Sequence, residues 1–341
     1  MYKLQKLLIA IFMVLLIVGC KKEKTNTTII QKSTDKSMII YTVIDDSESS
    51  IYFSKFTELT GIKITSIRKS SNEVRTLLKI EKDNPQASVI YGGTTDLYVA
   101  AKQDGLLESY DSSNDYYLKG QFKDSENYWQ GIYVGAIGFS TNTEKSLIAP
   151  GSWYDLLKPE YKGQICMANP SASGTAYTIL ITLIEIMGKE KAFSFMKEMD
   201  KNIAKYTNSG SQPTKLSGIG EVGIGISFHQ DILKVKNTKM QPVVLTFPKE
   251  GVGYEIGGVA MVKNAPKKKY AKMFIDYALS IKCQSIYKDS GSFRLPLHPE
   301  AKIAEGAIPF SDINTIDIDF DKYGKIRDQL CKDWKFKILK N

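Results

Sequence analysis

Three hydroxyl side chains stand at alternate positions before a long apolar run in the middle of this chain. Ser171, Ser173 and Thr175 separate the short apolar segment 163–168 from the apolar residues 177–187. This order predicts a buried strand, a turn and a helix whose first turn is capped by a hydroxyl. The free amides at a helix start attract anions, and hydroxyls add hydrogen-bond donors. The pattern therefore fits either an anion site or an ordinary helix cap.

A second group of polar residues follows the apolar segment 222–228. His229, Gln230 and Asp231 stand in a row there, at the carboxyl end of a predicted strand. A lone buried histidine is usually structural, but three polar residues at the mouth of a loop favour ligand contact. Glu255 is the lone acid in a glycine-rich apolar stretch, so we expect partners to hold it inside the protein.

A formal dinucleotide-binding motif is present but stands in the wrong context. Gly218, Gly220 and Gly223 match the spacing G-x-G-x-x-G. That motif requires a strand before it and a helix after it, whereas a helical pattern precedes these glycines and an apolar strand follows them. We therefore predict neither a nucleotide site nor any other cofactor.

The elements that must position these residues alternate between strand and helix. Such alternation predicts an α/β fold with mostly parallel sheets flanked by helices. Ligands of such sheets bind at loops beyond the carboxyl ends of strands. The predicted strands are 37–42, 62–67 and 87–91, the predicted helices are 51–59, 73–82 and 270–279, and the loops that qualify are 42–47, 92–96 and 169–175.

Two long extended stretches connect the parts of the body. Residues 128–143 and 252–261 are apolar and rich in glycine, which allows a strand to pass from one lobe to another and to bend there. About 300 residues after the tether suggest two lobes on length alone. We predict one lobe from residues 38–137 and 258–341, and a second from 138–257.

The N-terminal segment has the pattern of a lipoprotein leader. Lysines precede the uncharged apolar run 7–18, which is too short to cross a bilayer. Residues 17–20, Ile-Val-Gly-Cys, resemble the lipobox, which predicts a signal peptide at 1–19 and lipidation of Cys20. Residues 20–37 are polar and predict a flexible tether to the membrane.

Charge and cysteine content exclude several other classes. The net charge is +9, but the leader and tether carry five of these charges, which leaves a body too weakly basic to predict nucleic-acid binding. Three cysteines remain in the body without a C-x-x-C pair, and the chain has two histidines, so no metal site is predicted.

These features together resemble the solute-binding subunits of bacterial ABC importers, specifically the hexose-phosphate-binding branch of the ferric-iron-binding-protein-like cluster. The resemblance spans residues 38–300 and is most specific in 168–177, 206–211, 220–231 and 253–258. It implies the two-lobe type II periplasmic-binding-protein fold, a ligand between the lobes and an ABC permease as partner. A monomeric lipoprotein on the periplasmic side of the membrane is the expected form.

The resemblance also implies roles for individual residues. The expected phosphate-binding residues are Ser171, Ser173, Gly174, Thr175, Ser209, Ser211, Gly93 and Thr94. The expected sugar-binding residues are His229, Gln230, Asp231, Glu255 and Asp45.

The comparison with iron-binding members of the family disfavours iron on chemical grounds. Iron-binding members carry two adjacent tyrosines after the strand that ends here at Phe228, and this chain has none there. A ferric ion or an organophosphonate is the alternative ligand. A secreted enzyme and a lipoprotein that binds a host partner are the rival classes, and no hydrolase motif supports the enzyme.

Overall fold

The computed structural model describes residues 36–339, which form one compact unit. The predicted leader, Cys20 and the tether as far as residue 35 lie outside the described residues. The first part alternates strands and helices as predicted: β1 (Ser37–Thr42), α1 (Asp46–Thr60), β2 (Lys63–Arg68), α2 (Ser71–Ile80), β3 (Val89–Tyr91), α3 (Thr95–Gln103) and β4 (Leu107–Glu108).

The rest of the chain continues this alternation around two long strands. Its elements are β5 (Gln130–Asn142), β6 (Ile165–Ala168), α4 (Gly174–Met187), α5 (Lys189–Asp200), β7 (Ile203–Thr207), α6 (Gln212–Gly218), β8 (Ile224–Phe228), α7 (His229–Leu233), β9 (Val243–Thr246), β10 (Tyr254–Val262), α8 (Lys268–Leu279), α9 (Ile281–Gln284), β11 (Leu295–Pro296), α10 (Phe320–Lys325) and α11 (Arg327–Lys337). Short 3₁₀ turns include Trp153–Leu157. A π-helical turn, Lys234–Thr238, follows α7.

The strands pair in the order β2-β1-β3-β10-β5-β8-β6-β7, with β4, β9 and β11 attached at the sides. Two parallel groups, β2-β1-β3 and β8-β6-β7, lie at the ends of this order. The strands β5 and β10 pair antiparallel with their neighbours, so the sheet is mixed rather than mostly parallel. The two long strands are antiparallel to the neighbouring strands of the parallel groups, and they carry the chain from one group to the other.

The strand β5 changes partners in its middle. Its residues up to Ala136 pair with β10, and its residues from Ile137 pair with β8. Within the described residues, β10 begins at Tyr254 and pairs with β3, with β4 and with the first part of β5. We call β1–β4, β10, β11 and 130–136 the first half, and β6–β9 and 137–142 the second half. The predicted division into lobes at 137/138 and 257/258 stays a prediction.

The C-terminal helices pack against both halves. The backbone of α10 lies very close to α3. An ideal Cβ placed on Gly324 would be only 2.4 Å from Val99 Cβ. In α11, Trp334 is fully buried and packs edge-on against Tyr206 of β7 at 5.6 Å. The C-terminal segment therefore contacts both α3 and β7.

Candidate functional site

A cavity of about 520 Å³, including its opening, lies where the carboxyl ends of strands from the two halves meet. The first half contributes Val43, Ile44, Asp45, Arg68, Ser70, Ser71, Gly93, Thr94, Tyr133 and Glu255, together with Arg294 from the loop before β11. The second half contributes Ser173, Gly174, Thr175, Ser209, Gly210, Ser211, Phe228 and Asp231. Ten of the thirteen residues expected to bind the ligand are among these, and Ser171, His229 and Gln230 are not.

Three helices of eight residues or more begin at this cavity. The first residues of α2 and α4, Ser71 and Gly174, line it, and so does Thr94, directly before α3. The first four amides of an α-helix have no partner within the helix, and the helix dipole places partial positive charge there. Three such ends around one space favour an anion, although at α2 Glu73 caps the first turn and the Asn72 amide already donates to the Ala172 carbonyl at 3.3 Å.

Hydroxyl groups without partners line the same end of the cavity. The side chains of Ser71, Thr94, Ser173 and Thr175 form no hydrogen bond among the described residues, and Thr94 Oγ1 is fully buried. A buried hydroxyl without a hydrogen bond is costly, because it has lost its water without compensation. These donors are therefore available to a ligand.

Arg68 supplies a full positive charge at this end, and no pattern in the sequence predicts this role. It lies at the end of β2, where Nη2 donates to Ser209 Oγ at 2.9 Å and contacts Asp45 at 3.4 Å. Its Nε is buried and has no partner. An arginine has five donors in a fixed planar arrangement that suits phosphate, so Arg68 completes an anion site.

Contacts between the two halves close the cavity. Lys215 of α6 pairs with Asp45 at 2.5 Å, and Lys234 pairs with Glu48 of α1 at 3.4 Å. Burial opposes ionisation of Asp45, but its hydrogen bond to Lys215 and the nearby positive charges hold its pKa below the usual range. Asp45 thus stays ionised and supports the closed arrangement.

Another part of the cavity lining, which we call the acidic end, contains Asp231, Glu255 and a second arginine, Arg294. Burial raises the pKa of Asp231 to about 6 and that of Glu255 to about 8. Arg294 lies 3.5 Å from Glu255 and 2.7 Å from Glu48, and it stacks over the ring of Tyr133 at 4.4 Å. This end can exchange hydrogen bonds in both directions, which suits hydroxyl groups.

The three polar residues after β8 begin a short helix instead of a loop. Successive residues of a helix point about 100° apart, so they cannot all face one cavity. Asp231 lines the cavity. His229 is fully buried and its Nδ1 accepts the Ala136 amide at 3.0 Å, and burial lowers its pKa to about 4. Gln230 is buried against Gly135 and donates to Glu255 at 2.7 Å.

Ser171 also lies outside the cavity lining. Its hydroxyl donates to the Cys331 carbonyl of α11 at 3.4 Å. The alternate spacing of Ser171, Ser173 and Thr175 predicts that their side chains point in the same direction. The chain forms a turn before α4, however, and the Ser171 side chain therefore points elsewhere. The three body cysteines, Cys166, Cys283 and Cys331, are buried and unpaired.

The close approach of α4 to the first half gives a test of closure. An ideal Cβ on Gly174 would lie 2.1 Å from Thr94 Oγ1 and 2.9 Å from Ser71 Oγ, across the cavity. Overpacking of this kind costs about 1–3 kcal/mol. We expect Gly174→Ala to weaken ligand binding by roughly 10- to 100-fold in calorimetric titration, because the halves then close less completely. Gly151→Ala, where nothing lies within 4 Å, is the control, and equal affinities for both variants would contradict this prediction.

The raised pKa of Glu255 predicts a dependence of stability on pH. Burial raises the pKa of Glu255, and the negative charges of Asp231 and Glu48 raise it further, whereas the positive charge of Arg294 lowers it. The folded state therefore binds more protons than the unfolded state between about pH 4.5 and pH 8, and this contribution to stability is lost as the pH rises. We expect Glu255→Gln to raise the melting temperature relative to the unsubstituted protein at pH 9, with little change at pH 5. A loss of stability at pH 9 would contradict this.

Residues 36–339 contain neither a membrane-spanning helix nor a metal-binding cluster. None of the helices there is long and apolar enough to cross a membrane. The same residues contain no group of three or more histidine, cysteine, aspartate or glutamate side chains arranged to hold a metal ion.

Comparison with known proteins identifies the family. Residues 84–320 match the family of bacterial extracellular solute-binding proteins. The chain belongs to this family. Its homologues are periplasmic solute-binding proteins of ABC importers and not enzymes, which agrees with the resemblance seen in the sequence.

The relatives of this chain differ in the ligands that their names give. The periplasmic binding protein AfuA from Actinobacillus pleuropneumoniae, solved with fructose 6-phosphate bound, superimposes with a TM-score of 0.85 at 34% identity, over 89% of this chain and 98% of AfuA. An uncharacterised protein of Haemophilus influenzae is 35% identical, over 82% of this chain and 84% of its own length. A putative 2-aminoethylphosphonate-binding periplasmic protein of Salmonella typhi is 24% identical, over 71% and 72%. The type II periplasmic-binding-protein fold is shared with these solved structures.

Proposed function

We propose that this protein captures a sugar phosphate between its two halves and delivers it to the permease of an ABC importer. The observation that carries this proposal is the convergence of three helix starts, four unpaired hydroxyls and Arg68 on one end of a single cavity. Each of these features favours an anion, and together they match the several acceptor oxygens of a phosphate group.

The acidic end of the cavity favours a ligand in which the phosphate is attached to a molecule with hydroxyl groups. Asp231 and Glu255 accept hydrogen bonds from hydroxyls, and Asp45 stands at the edge of the same cavity. A site built around such groups rejects ligands that lack the hydroxyl, because its own polar atoms are then left unpaired. A sugar phosphate, such as the fructose 6-phosphate bound to AfuA, has both kinds of group.

Ferric iron is less compatible with this cavity. One tyrosine, Tyr133, is among the residues that line the cavity. Its hydroxyl oxygen accepts a hydrogen bond from the Gly93 amide at 3.3 Å. Burial raises the pKa of Tyr133 well above its ordinary value, which disfavours the phenolate that a ferric ion requires. An organophosphonate remains the second candidate, because the anion end suits it equally well.

The test is a binding panel on the protein that begins at residue 36. Native mass spectrometry of the purified protein would show whether it is a monomer and whether it carries a ligand. Thermal shift and calorimetric titration would then compare glucose 6-phosphate, fructose 6-phosphate, the free sugars, 2-aminoethylphosphonate and ferric citrate. A ligand at 100 times its Kd stabilises the protein by about 2.7 kcal/mol.

We expect stabilisation by the sugar phosphates and none by the free sugars. Stabilisation by 2-aminoethylphosphonate alone would mean that the ligand is an organophosphonate and not a sugar phosphate. A response to ferric citrate alone would overturn the proposal.

We also propose that Cys20 carries the lipid that holds the protein at the periplasmic side of the membrane. The support is the lipobox-like segment 17–20 after an uncharged run of leader length. Full-length protein expressed in a bacterium should partition into detergent, and Cys20→Ala should move it to the aqueous phase. Equal partition of both forms would contradict lipidation.

A further inference from the structure

Arg294 is held rigidly at the acidic end of the cavity. It is 7% exposed, and its Nε donates to Glu48 Oε1 at 2.7 Å. Its guanidinium carbon lies 4.4 Å from the centre of the Tyr133 ring. An ion pair on one edge and an aromatic ring on one face fix the plane of the guanidinium, so its remaining donors have a defined direction.

Those remaining donors have no hydrogen-bond acceptor among the described residues. The terminal nitrogens of Arg294 make no hydrogen bond there, and the nearest acid contact is Glu255 Oε1, 3.5 Å from Nη1. Arg294, Glu255 and Asp231 all line the cavity. Because the guanidinium borders the cavity, a ligand bound there can supply acceptors to these donors.

We infer that Arg294 is a specificity-determining residue that selects a ligand with a neutral, hydroxylated end over one with a cationic amine. This inference rests on the proposed function, because it assigns the part of the ligand that is not the phosphate. A hydroxyl accepts a hydrogen bond from Arg294 and donates one to Glu255 or Asp231. An ammonium group has no acceptor and repels the guanidinium, so it pairs with the acids alone.

The test separates the positive charge of Arg294 from its two-donor geometry. The charge-neutral double variant Glu48→Gln/Arg294→Met removes the pair without leaving the Glu48 carboxylate buried alone. Arg294→Lys keeps the charge and loses the planar fork. Circular dichroism and melting temperature would establish that each variant folds. Arg75→Gln is the control, because Arg75 is buried and ion-paired to Asp104 outside the cavity.

Calorimetric titration would use inorganic phosphate, glucose 6-phosphate and glucosamine 6-phosphate, which carries an amine in place of one hydroxyl. The double variant also removes the contact of Glu48 with Lys234 between the halves, so its affinity for inorganic phosphate measures that loss separately. Its affinity for glucose 6-phosphate should fall by about 10- to 100-fold more than its affinity for inorganic phosphate, the range for losing hydrogen bonds to a charged group. Its preference for glucose 6-phosphate over glucosamine 6-phosphate should also shrink.

Arg294→Lys should lose affinity for glucose 6-phosphate but keep that preference, because the charge remains. If either variant that folds binds glucose 6-phosphate within twofold of the unsubstituted protein, Arg294 does not select the ligand and the inference is wrong. If the unsubstituted protein binds no sugar phosphate, the proposed function fails, and the inference fails with it. The two failures are therefore distinguishable.

Discussion

The substitution Arg327→Gln should lower the free energy of unfolding by about 3–5 kcal/mol, the usual effect of removing one partner of a buried ion pair. Arg327 in α11 donates from Nε to Asp96 Oδ2 at 2.6 Å, and the two residues are 3% and 4% exposed. Without the guanidinium, the Asp96 carboxylate stays buried with no compensating charge. Urea denaturation measured by circular dichroism gives the difference directly.

Two further variants show whether the buried charge is responsible. The double variant Asp96→Leu/Arg327→Met removes both charges and should recover most of the lost stability, because apolar replacement of a buried pair is often neutral. Lys325→Met removes an exposed pair with Asp321 and should change stability by about 0.5 kcal/mol or less. A loss below about 1 kcal/mol for Arg327→Gln would mean that water reaches Asp96.

The ion pair also lies behind the anion site. Asp96 follows Thr94 at the start of α3, and the guanidinium carbon of Arg327 lies 5.2 Å from the ring centre of Tyr177 in α4. The Tyr177 hydroxyl donates to the Tyr323 carbonyl at 2.6 Å. The C-terminal segment therefore fixes two of the three helix starts that face the cavity.

The second large effect is expected from the double substitution Ser173→Ala/Thr175→Ala. Both hydroxyls lie at the start of α4 and have no partner among the described residues. If each donates to a phosphate oxygen, their removal should cost about 3 kcal/mol or more, which is a hundredfold or greater loss of affinity. Calorimetric titration with glucose 6-phosphate measures this loss, and an affinity within twofold of the unsubstituted protein would contradict it.

Other serine and threonine substitutions sharpen this experiment. Thr57→Ala and Ser194→Ala remove hydroxyls that bond to carbonyls of their own helices and do not line the cavity, so they should not change affinity. Ser171→Ala distinguishes two hypotheses. The sequence pattern predicts a loss of affinity, whereas the contact of Ser171 with Cys331 predicts none.

Much of the fold was predictable from local sequence. The strand Ser37–Thr42 was predicted to the residue, and α8 begins two residues before its predicted start. Apolar runs of strand length and helical spacing of apolar residues carry this information locally. The antiparallel pairing of β5 and β10 was not predicted, because the direction of a neighbouring strand depends on residues more than 100 positions away.

The candidate site was predicted where loops follow strands and was missed elsewhere. Gly93, Thr94 and Ser173 line the cavity because the carboxyl ends of strands meet there. Arg68 and Arg294 carried no signal, since an arginine at the end of a strand or in a long loop is ordinarily exposed. Only the packing of Glu48 and Tyr133 around Arg294 makes it part of a site.

The sequence by itself determined the order of the elements, the family and the helix start that holds Ser173 and Thr175, because each depends on neighbouring residues. The tertiary structure decided which polar residues meet. It directs Asp231 to the cavity and buries His229 and Gln230 beside it, because a helix begins immediately after β8. A ligand site is a set of directions in space, and the direction of a side chain depends on the elements packed around it.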